Sequence, residues 1–197
     1  MNTPLKRLDY RVIYETIEPR AKVLDLGCGD GELLHLLTSK KDVRGQGIEL
    51  DDEAIYQCVE KGLSVFHSDI DSGLSDYGDQ SFDYVILNQS LQQVKQVEFV
   101  IREAMRVGRK AIIGFPNFAY LKARSMLFFG GMAPVTPSLP YCWANTPNSR
   151  FLSINDFKSY CERKGIRILD SYYLGKKRLV RFWPNLLALN AVFIIQK

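Results

Sequence analysis

The sequence segment densest in groups able to hold a ligand is Val23-Leu24-Asp25-Leu26-Gly27-Cys28-Gly29-Asp30-Gly31. A run of apolar residues carries one acid and then meets glycine at alternate positions. Glycine lets a chain turn sharply and lets a ligand lie against main-chain atoms without meeting a Cβ. The spacing is G-x-G-x-G, whereas pyrophosphate-binding turns read G-x-G-x-x-G. Asp25, immediately before the turn, repels a pyrophosphate and suits a cation. S-adenosylmethionine (AdoMet) is cationic at its ammonium and its sulfonium, so Asp25 is assigned to its amino-acid end, directly or through water. Gly27, Cys28 and Gly29 are the backbone against which it lies. The plainer reading is a glycine turn with no ligand.

Three further segments end in polar groups at matching places. Gly47-Ile48-Glu49-Leu50-Asp51 puts Glu49 about 20 residues past the glycines, where an acid accepts both hydroxyls of a ribose. Leu50 follows it as a second candidate. His67-Ser68-Asp69-Ile70 offers Asp69 to an adenine amino group and Ile70 to cover the ring. Asn88-Gln89-Ser90-Leu91-Gln92 supplies Asn88 and Gln89 for a floor beneath the sulfonium. The expected ligand is AdoMet or its demethylated product, S-adenosylhomocysteine.

These residues all fall at the ends of short apolar runs, which read as strands over 22–26, 43–50, 63–68, 82–88 and 110–115. Helical patterns stand at 5–18, at 31–39, after Asp51 and Asp52, and at 97–107. In the helix after Asp51, residues Ala54, Ile55, Cys58 and Val59 share a face. Strands alternating with helices form βαβ units and a parallel sheet. Ser153 then caps a helix with Ile154, Phe157, Tyr160 and Cys161 inward, closed by Gly165. Two last strands, 166–174 and 191–196, are joined by a basic stretch too irregular for a crossover helix, so they are expected to pair antiparallel. The fold class is α/β: a doubly wound, Rossmann-like, seven-stranded, mostly parallel sheet with one antiparallel strand near the C-terminus.

Composition narrows the function. With 46% apolar and 24% charged residues among 197, the chain suits one domain, 1–197, with a core of its own. No run of about 20 apolar residues is present, and the first residues lack the apolar stretch of a secretory signal; a cytoplasmic location is expected. Cys28, Cys58, Cys142 and Cys161 form no C-x-x-C pair, and His35 and His67 lie close to none of the last three, so neither zinc nor a disulfide framework is expected. A net charge of +4 permits an acidic partner without requiring one. Arg102, Arg106, Arg109 and Lys110 cluster, as do Lys176, Lys177, Arg178 and Arg181. Helix surfaces are commonly this basic, however, and no Asn-Pro-Pro-Tyr-type motif follows the fourth strand, which argues against nucleic acid.

The Leu-Asp-Leu-Gly-Cys-Gly-Asp-Gly turn, the Gly-Ile-Glu strand end and Ser81-Phe82-Asp83-Tyr84-Val85 resemble class I AdoMet-dependent methyltransferases. A closer resemblance runs over about residues 7–175. Asp69-Ile70-Asp71-Ser72-Gly73-Leu74, Asn88-Gln89-Ser90-Leu91-Gln92, Met105-Arg106-Val107-Gly108-Arg109, Phe115-Pro116-Asn117-Phe118 and Leu139-Pro140-Tyr141-Cys142-Trp143 follow the order of the MetW family of methionine-biosynthesis proteins. That resemblance implies a role beside homoserine O-acetyltransferase, which it supports in a complex; it implies no methyl acceptor.

Methyl transfer is an in-line displacement that depends on positioning more than on proton transfer. Small-molecule methyltransferases often carry a His just beyond the fourth strand. Here Leu91-Gln92-Gln93-Val94 offers Gln93, which is no base near neutral pH, and no catalytic residue is assigned. Residues 116–150, rich in Pro, Gly and aromatics, are long for a connection and have three readings: a cap on the sheet end, a lid over an acceptor, or a partner interface.

Overall fold

The computed structural model describes residues 6–197. Seven strands, β1 (Lys22–Leu26), β2 (Arg44–Glu49), β3 (Ser64–His67), β4 (Phe82–Asn88), β5 (Gly108–Pro116), β6 (Arg167–Leu174) and β7 (Asn190–Gln196), form one sheet in the order β3-β2-β1-β4-β5-β7-β6. The first five pair in parallel; β7 runs antiparallel to both β5 and β6. The helices are α1 (Leu8–Thr16), α2 (Glu32–Lys41), α3 (Asp52–Glu60), α4 (Val97–Val107), α5 (Leu121–Gly130), α6 (Ile154–Lys164) and a single turn, α7 (Pro184–Leu187). The seven-stranded sheet with one antiparallel strand is as the sequence pattern indicates. The first helix, read over 5–18, is shorter: residue 5 lies outside the described residues, and Ile17 is already extended two positions before Pro19.

Strand alternation sorts the core into two layers. Leu24, Leu26, Val85, Leu87, Ala111, Ile113, Phe193 and Ile195 face α4 and α6. Val23, Tyr84, Ile86, Ile112, Val192 and Ile194 face α1 and α2. On α4, Val100, Ile101, Ala104 and Val107 are buried as one stripe. Helix α6 opens with a reciprocal cap, in which the Ser153 hydroxyl accepts from the Asp156 N–H and the Ser153 N–H donates back to the Asp156 carboxylate; it closes at Gly165 in the left-handed region. Helix α3 differs from expectation. Of its proposed inner face only Cys58 is fully buried, and Val59 is 59% exposed. This helix lies beside the thin edge of the sheet, where β3 itself has no fully buried residue.

Residues 116–150 leave the sheet at the end of β5 and are tied back at both ends, at Asn117 and where the Ser149 and Arg150 N–H groups donate to the Gln92 carbonyl (3.0 and 3.1 Å). Asn117 is fully buried. Its amide nitrogen donates to the carbonyls of Asn185 (3.0 Å) and Ala188 (2.9 Å), and its oxygen accepts from Ala119 N (3.2 Å) and Ile154 N (3.4 Å). Next to it the Phe118 N–H donates to the Leu152 carbonyl at 3.0 Å. One side chain therefore gathers the end of β5, the start of α6 and the α7 turn. Asn117→Ala strands these groups in a dry site, and the chain is expected to lose about 3 kcal/mol of stability. Urea denaturation measures this; a loss below about 0.5 kcal/mol would show that water replaces the amide without cost.

Candidate functional site

The carboxyl ends of β3, β2, β1 and β4 lie side by side, and β1 pairs with β2 on one side and β4 on the other. Here the chain reverses direction across the sheet, and the crevice between β1 and β4 opens.

The turn after β1 is built by close approach. Gly27 has φ +71°, and a Cβ there would stand 2.8 Å from the Cβ of Ser90. Ser90 completes the contact by donating its hydroxyl to the Leu26 carbonyl at 2.9 Å. The N–H groups of Gly27 and Cys28 both donate to the Ile48 carbonyl (2.8 and 3.2 Å), and that of Gly29 to Glu49 Oε2 (2.7 Å). The turn at the start of α2 is closed in the same way, with Glu32 N donating to Asp30 Oδ1 at 3.1 Å. A phosphate site needs such N–H groups pointing outward and unengaged. Here Gly27, Cys28 and Gly29 have theirs engaged. What the turn offers a ligand is open backbone: a Cβ at Gly29 would meet nothing within 4 Å.

Glu49 ends β2 and is fixed by three main-chain donors: Gly29, Leu50 (2.7 Å) and Asp51 (3.1 Å). It ties the β1 turn to the end of β2; Oε1 accepts from both Leu50 and Asp51, and Oε2, with Gly29 alone, retains a lone pair for a ligand. Leu50 itself is 57% exposed at the rim. Asp25 stands behind the turn, buried, and no described residue donates a hydrogen bond to its carboxylate. Burial, and then the charge of Glu49, push its carboxyl up to about 7. Two carboxylates thus share a crevice with no cation from the protein between them.

Cys28 is held for packing. Its Sγ fills the space above Gly47, where a Cβ would stand 2.6 Å away, and burial pushes its thiol far up. The neighbouring thiol, Cys58, donates to the Gly29 carbonyl at 3.1 Å.

Asp69 follows β3 and caps a short 3-10 turn, Ile70–Ser72, by accepting from Asp71 N at 2.9 Å; its other oxygen faces no donor among the described residues. Ile70 is half-buried against the core. Asp71, not singled out from the sequence, accepts from Lys95 N (2.9 Å) and Gln96 N (2.7 Å) and so anchors this turn to the loop before α4.

Asn88 and Gln89 end β4, but their side chains turn to the α1 side of the crevice. The Asn88 amide donates to Asp9 Oδ2 at 3.0 Å and lies over Gly114, where a Cβ would be only 2.1 Å from its oxygen. Burial opposes ionisation of Asp9, but the Arg7 guanidinium and the Asn88 amide outweigh it and hold its carboxyl below the usual range. Nothing in the local pattern, beyond an acid two residues from an Arg, marks Asp9 as a partner of β4. Gln89 adopts φ +64°, a left-handed conformation uncommon for a side-chain-bearing residue, held by its N–H to the Gly114 carbonyl at 2.8 Å.

The basic cluster around α4 is largely engaged. Arg106 bonds Glu103, Asp79 and the carbonyls of Tyr77 and Leu74; Arg109 pairs with Asp83 and Lys110 with Glu18. Among the described residues no three His, Cys, Asp or Glu side chains converge as metal ligands, and no helix is long and apolar enough to cross a membrane.

The family described as "Methionine biosynthesis protein MetW" matches residues 7–195. The chain belongs to the MetW family. A curated MetW relative, the bifunctional methionine biosynthesis protein MetXA/MetW of Rhodopirellula baltica, is 39% identical over 187 residues; the match covers 90% of this chain and 30% of that protein. The chain thus spans under a third of that relative. Solved structures agree on the fold. A SAM-dependent methyltransferase of Thermotoga maritima, a possible histamine N-methyltransferase, superposes with TM-score 0.70 at 16% identity, over 96% of this chain and 87% of its own. One from Archaeoglobus fulgidus gives 0.68 at 17%, over 96% and 92%. The chain has the class I methyltransferase fold.

The raised carboxyl of Asp25 has a consequence for stability. The folded chain keeps a proton that the unfolded chain releases near the ordinary value of 3.8, so ionisation destabilises the fold progressively as pH rises from there to about 7. Asp25→Asn removes that loss. Its melting temperature is expected to exceed the parent's by a margin that widens from about pH 5 to about pH 8, measured by calorimetry without ligand. A constant margin would mean that Asp25 titrates as in water.

Proposed function

We propose that this MetW chain binds AdoMet, or S-adenosylhomocysteine, in the crevice at β1 and β4, and that it acts on homoserine O-acetyltransferase as an activating or regulatory partner. The observation that carries the partnership is the relative in which MetXA and MetW form one protein. It agrees with the partner implied by the sequence resemblance.

The site's chemistry fits the nucleotide. Asp25 and Glu49 are an acid pair that a cationic ligand relieves, and the engaged amides of the turn disfavour a phosphate. Asp25 would take the ammonium, Glu49 the ribose hydroxyls and Asp69 the adenine amino group, with Leu50 and Ile70 beside the ring. When bound, AdoMet supplies an electrophilic methyl group on a sulfonium. This chain's residues position and desolvate it, and no base stands at Gln93 to activate an acceptor.

The surface for the acyltransferase is residues 116–150. Of helix α5 only Ala123 is fully buried, while Phe128 and Phe129 are 82% and 84% exposed and pack edge-to-face on each other. Trp143 adds a third exposed ring. A cap on the sheet end would bury these rings; exposed together they fit an apolar partner face, where aromatic side chains act as anchors. A second reading, methyl transfer to a small acceptor with this segment as its lid, is favoured by a polar cavity between the segment and the loop after β4.

Phe128→Ser with Phe129→Ser is expected to weaken the complex with homoserine O-acetyltransferase by about 30-fold or more and to abolish its activation. AdoMet affinity, read by isothermal titration, stays within about twofold of the parent's. An unchanged complex would remove this surface from the proposal, and a chain that binds neither AdoMet nor S-adenosylhomocysteine would remove the nucleotide.

A further inference from the structure

On the α1 side of the post-β4 loop lies a cavity of about 620 Å³. Its walls come from Arg7 and Asp9 at α1, the glutamines after β4, Pro137, Pro140 and Asn148 of the long segment, Lys176 in the connection between β6 and β7, and Asn190 at the start of β7. The lining is rich in amides, and several of them lack partners. The Gln89 amide nitrogen, the Gln92 amide oxygen and the Asn190 amide oxygen are each sealed from water without a hydrogen bond among the described residues. Such groups are normally paired, and all three belong to residues that line one cavity and stand just behind its surface, a concentration that the fold itself does not explain.

Their orientation is partly fixed. Gln92 is 6% exposed, and its nitrogen donates to the Gln89 carbonyl at 2.6 Å, so it is the oxygen that remains without a donor. The wall therefore holds one donor and two acceptors in want of partners. The charges are equally uneven. Asp9 is engaged by Arg7 and Asn88. Lys176 stands at the edge with no carboxylate in ion-pairing range among the described residues, and the cavity contains no other acid.

We propose that this cavity binds a small α-amino acid whose side chain carries a hydroxyl or an amide. Its carboxylate pairs with Lys176. Once these three side chains turn toward the cavity, its ammonium and its side-chain donor meet the oxygens of Gln92 and Asn190, and its side-chain oxygen accepts from the Gln89 amide. The nucleotide crevice is a separate site, but the two share one loop: Ser90 packs on Gly27, while Gln89, Gln92 and Gln93 face the cavity. The inference needs neither the nucleotide nor the acyltransferase, and it fails or holds apart from them.

The test is titration of the purified chain with L-homoserine and L-glutamine, followed by calorimetry and by the NMR signals of the side-chain amides. 3-Amino-1-propanol, which is L-homoserine without its carboxylate, is the control. Saturable binding of at least one amino acid is expected, with shifts of glutamine side-chain signals and no binding of 3-amino-1-propanol. Lys176→Gln, at an exposed position, is expected to weaken binding at least tenfold. Gln93→Glu, also exposed, places a like charge at the cavity mouth and weakens it further. No saturable binding of either amino acid overturns the proposal; so does equal binding of 3-amino-1-propanol, or binding that neither substitution changes.

Discussion

Parallel strands must be joined by crossovers of one hand, and this constraint decides where the molecule can hold a ligand. From β1 the chain winds outward through α2 and α3 to β3, then returns past β1 to continue through β4, α4 and β5 on the other side. The two windings place their helices on opposite faces, α1 and α2 against Val23, Tyr84 and Ile86, α4 and α6 against Leu24, Val85 and Leu87. No crossover covers the seam between β1 and β4. The glycine turn, Glu49, Asp69 and the post-β4 loop all face that seam because the handedness of the connections leaves it open.

Within the seam the choice of ligand is electrostatic. A Rossmann-like turn can present its N–H groups to a phosphate, but here Ile48 and Glu49 take them up. What is left is negative charge at Asp25 and Glu49, held close in a site where burial strengthens their repulsion. The same fold thereby exchanges an anion site for a cation site by redirecting three backbone donors and adding one acid at the end of β1.

Much of this was legible in the residues. The G-x-G-x-G turn, the acid after it and the Ser153–Gly165 cap pair are local patterns, and local geometry realises them directly. Apart from the early end of α1 ahead of Pro19, what the residues leave unread is long-range. Asn88, a candidate for the ligand floor, has a partner in Asp9 that lies 79 positions away, on a helix that periodicity places but cannot orient. The bonds of Asp71 to residues 95 and 96, and the hub at Asn117, depend likewise on which loops the sheet brings together. The basic run near Arg106 looked like a surface patch because the sequence does not show that Asp79, Asp83, Glu18 and two carbonyls stand around it.

The hub at Asn117 also governs how the molecule can change. Because Phe118 and Leu152 are hydrogen-bonded to each other at the base of the long segment, everything between them is a closed loop whose ends are already fixed by the core. The conformational cost of such a loop grows only with the logarithm of its length, about 0.6 kcal/mol for each doubling. Insertions, deletions and wholesale replacement of the exposed aromatic surface are therefore cheap so long as Asn117 keeps its four bonds. The scaffold behaves as a socket: its outer face can drift in length and chemistry at a pace of its own, while the strand ends that form the crevice stay in register.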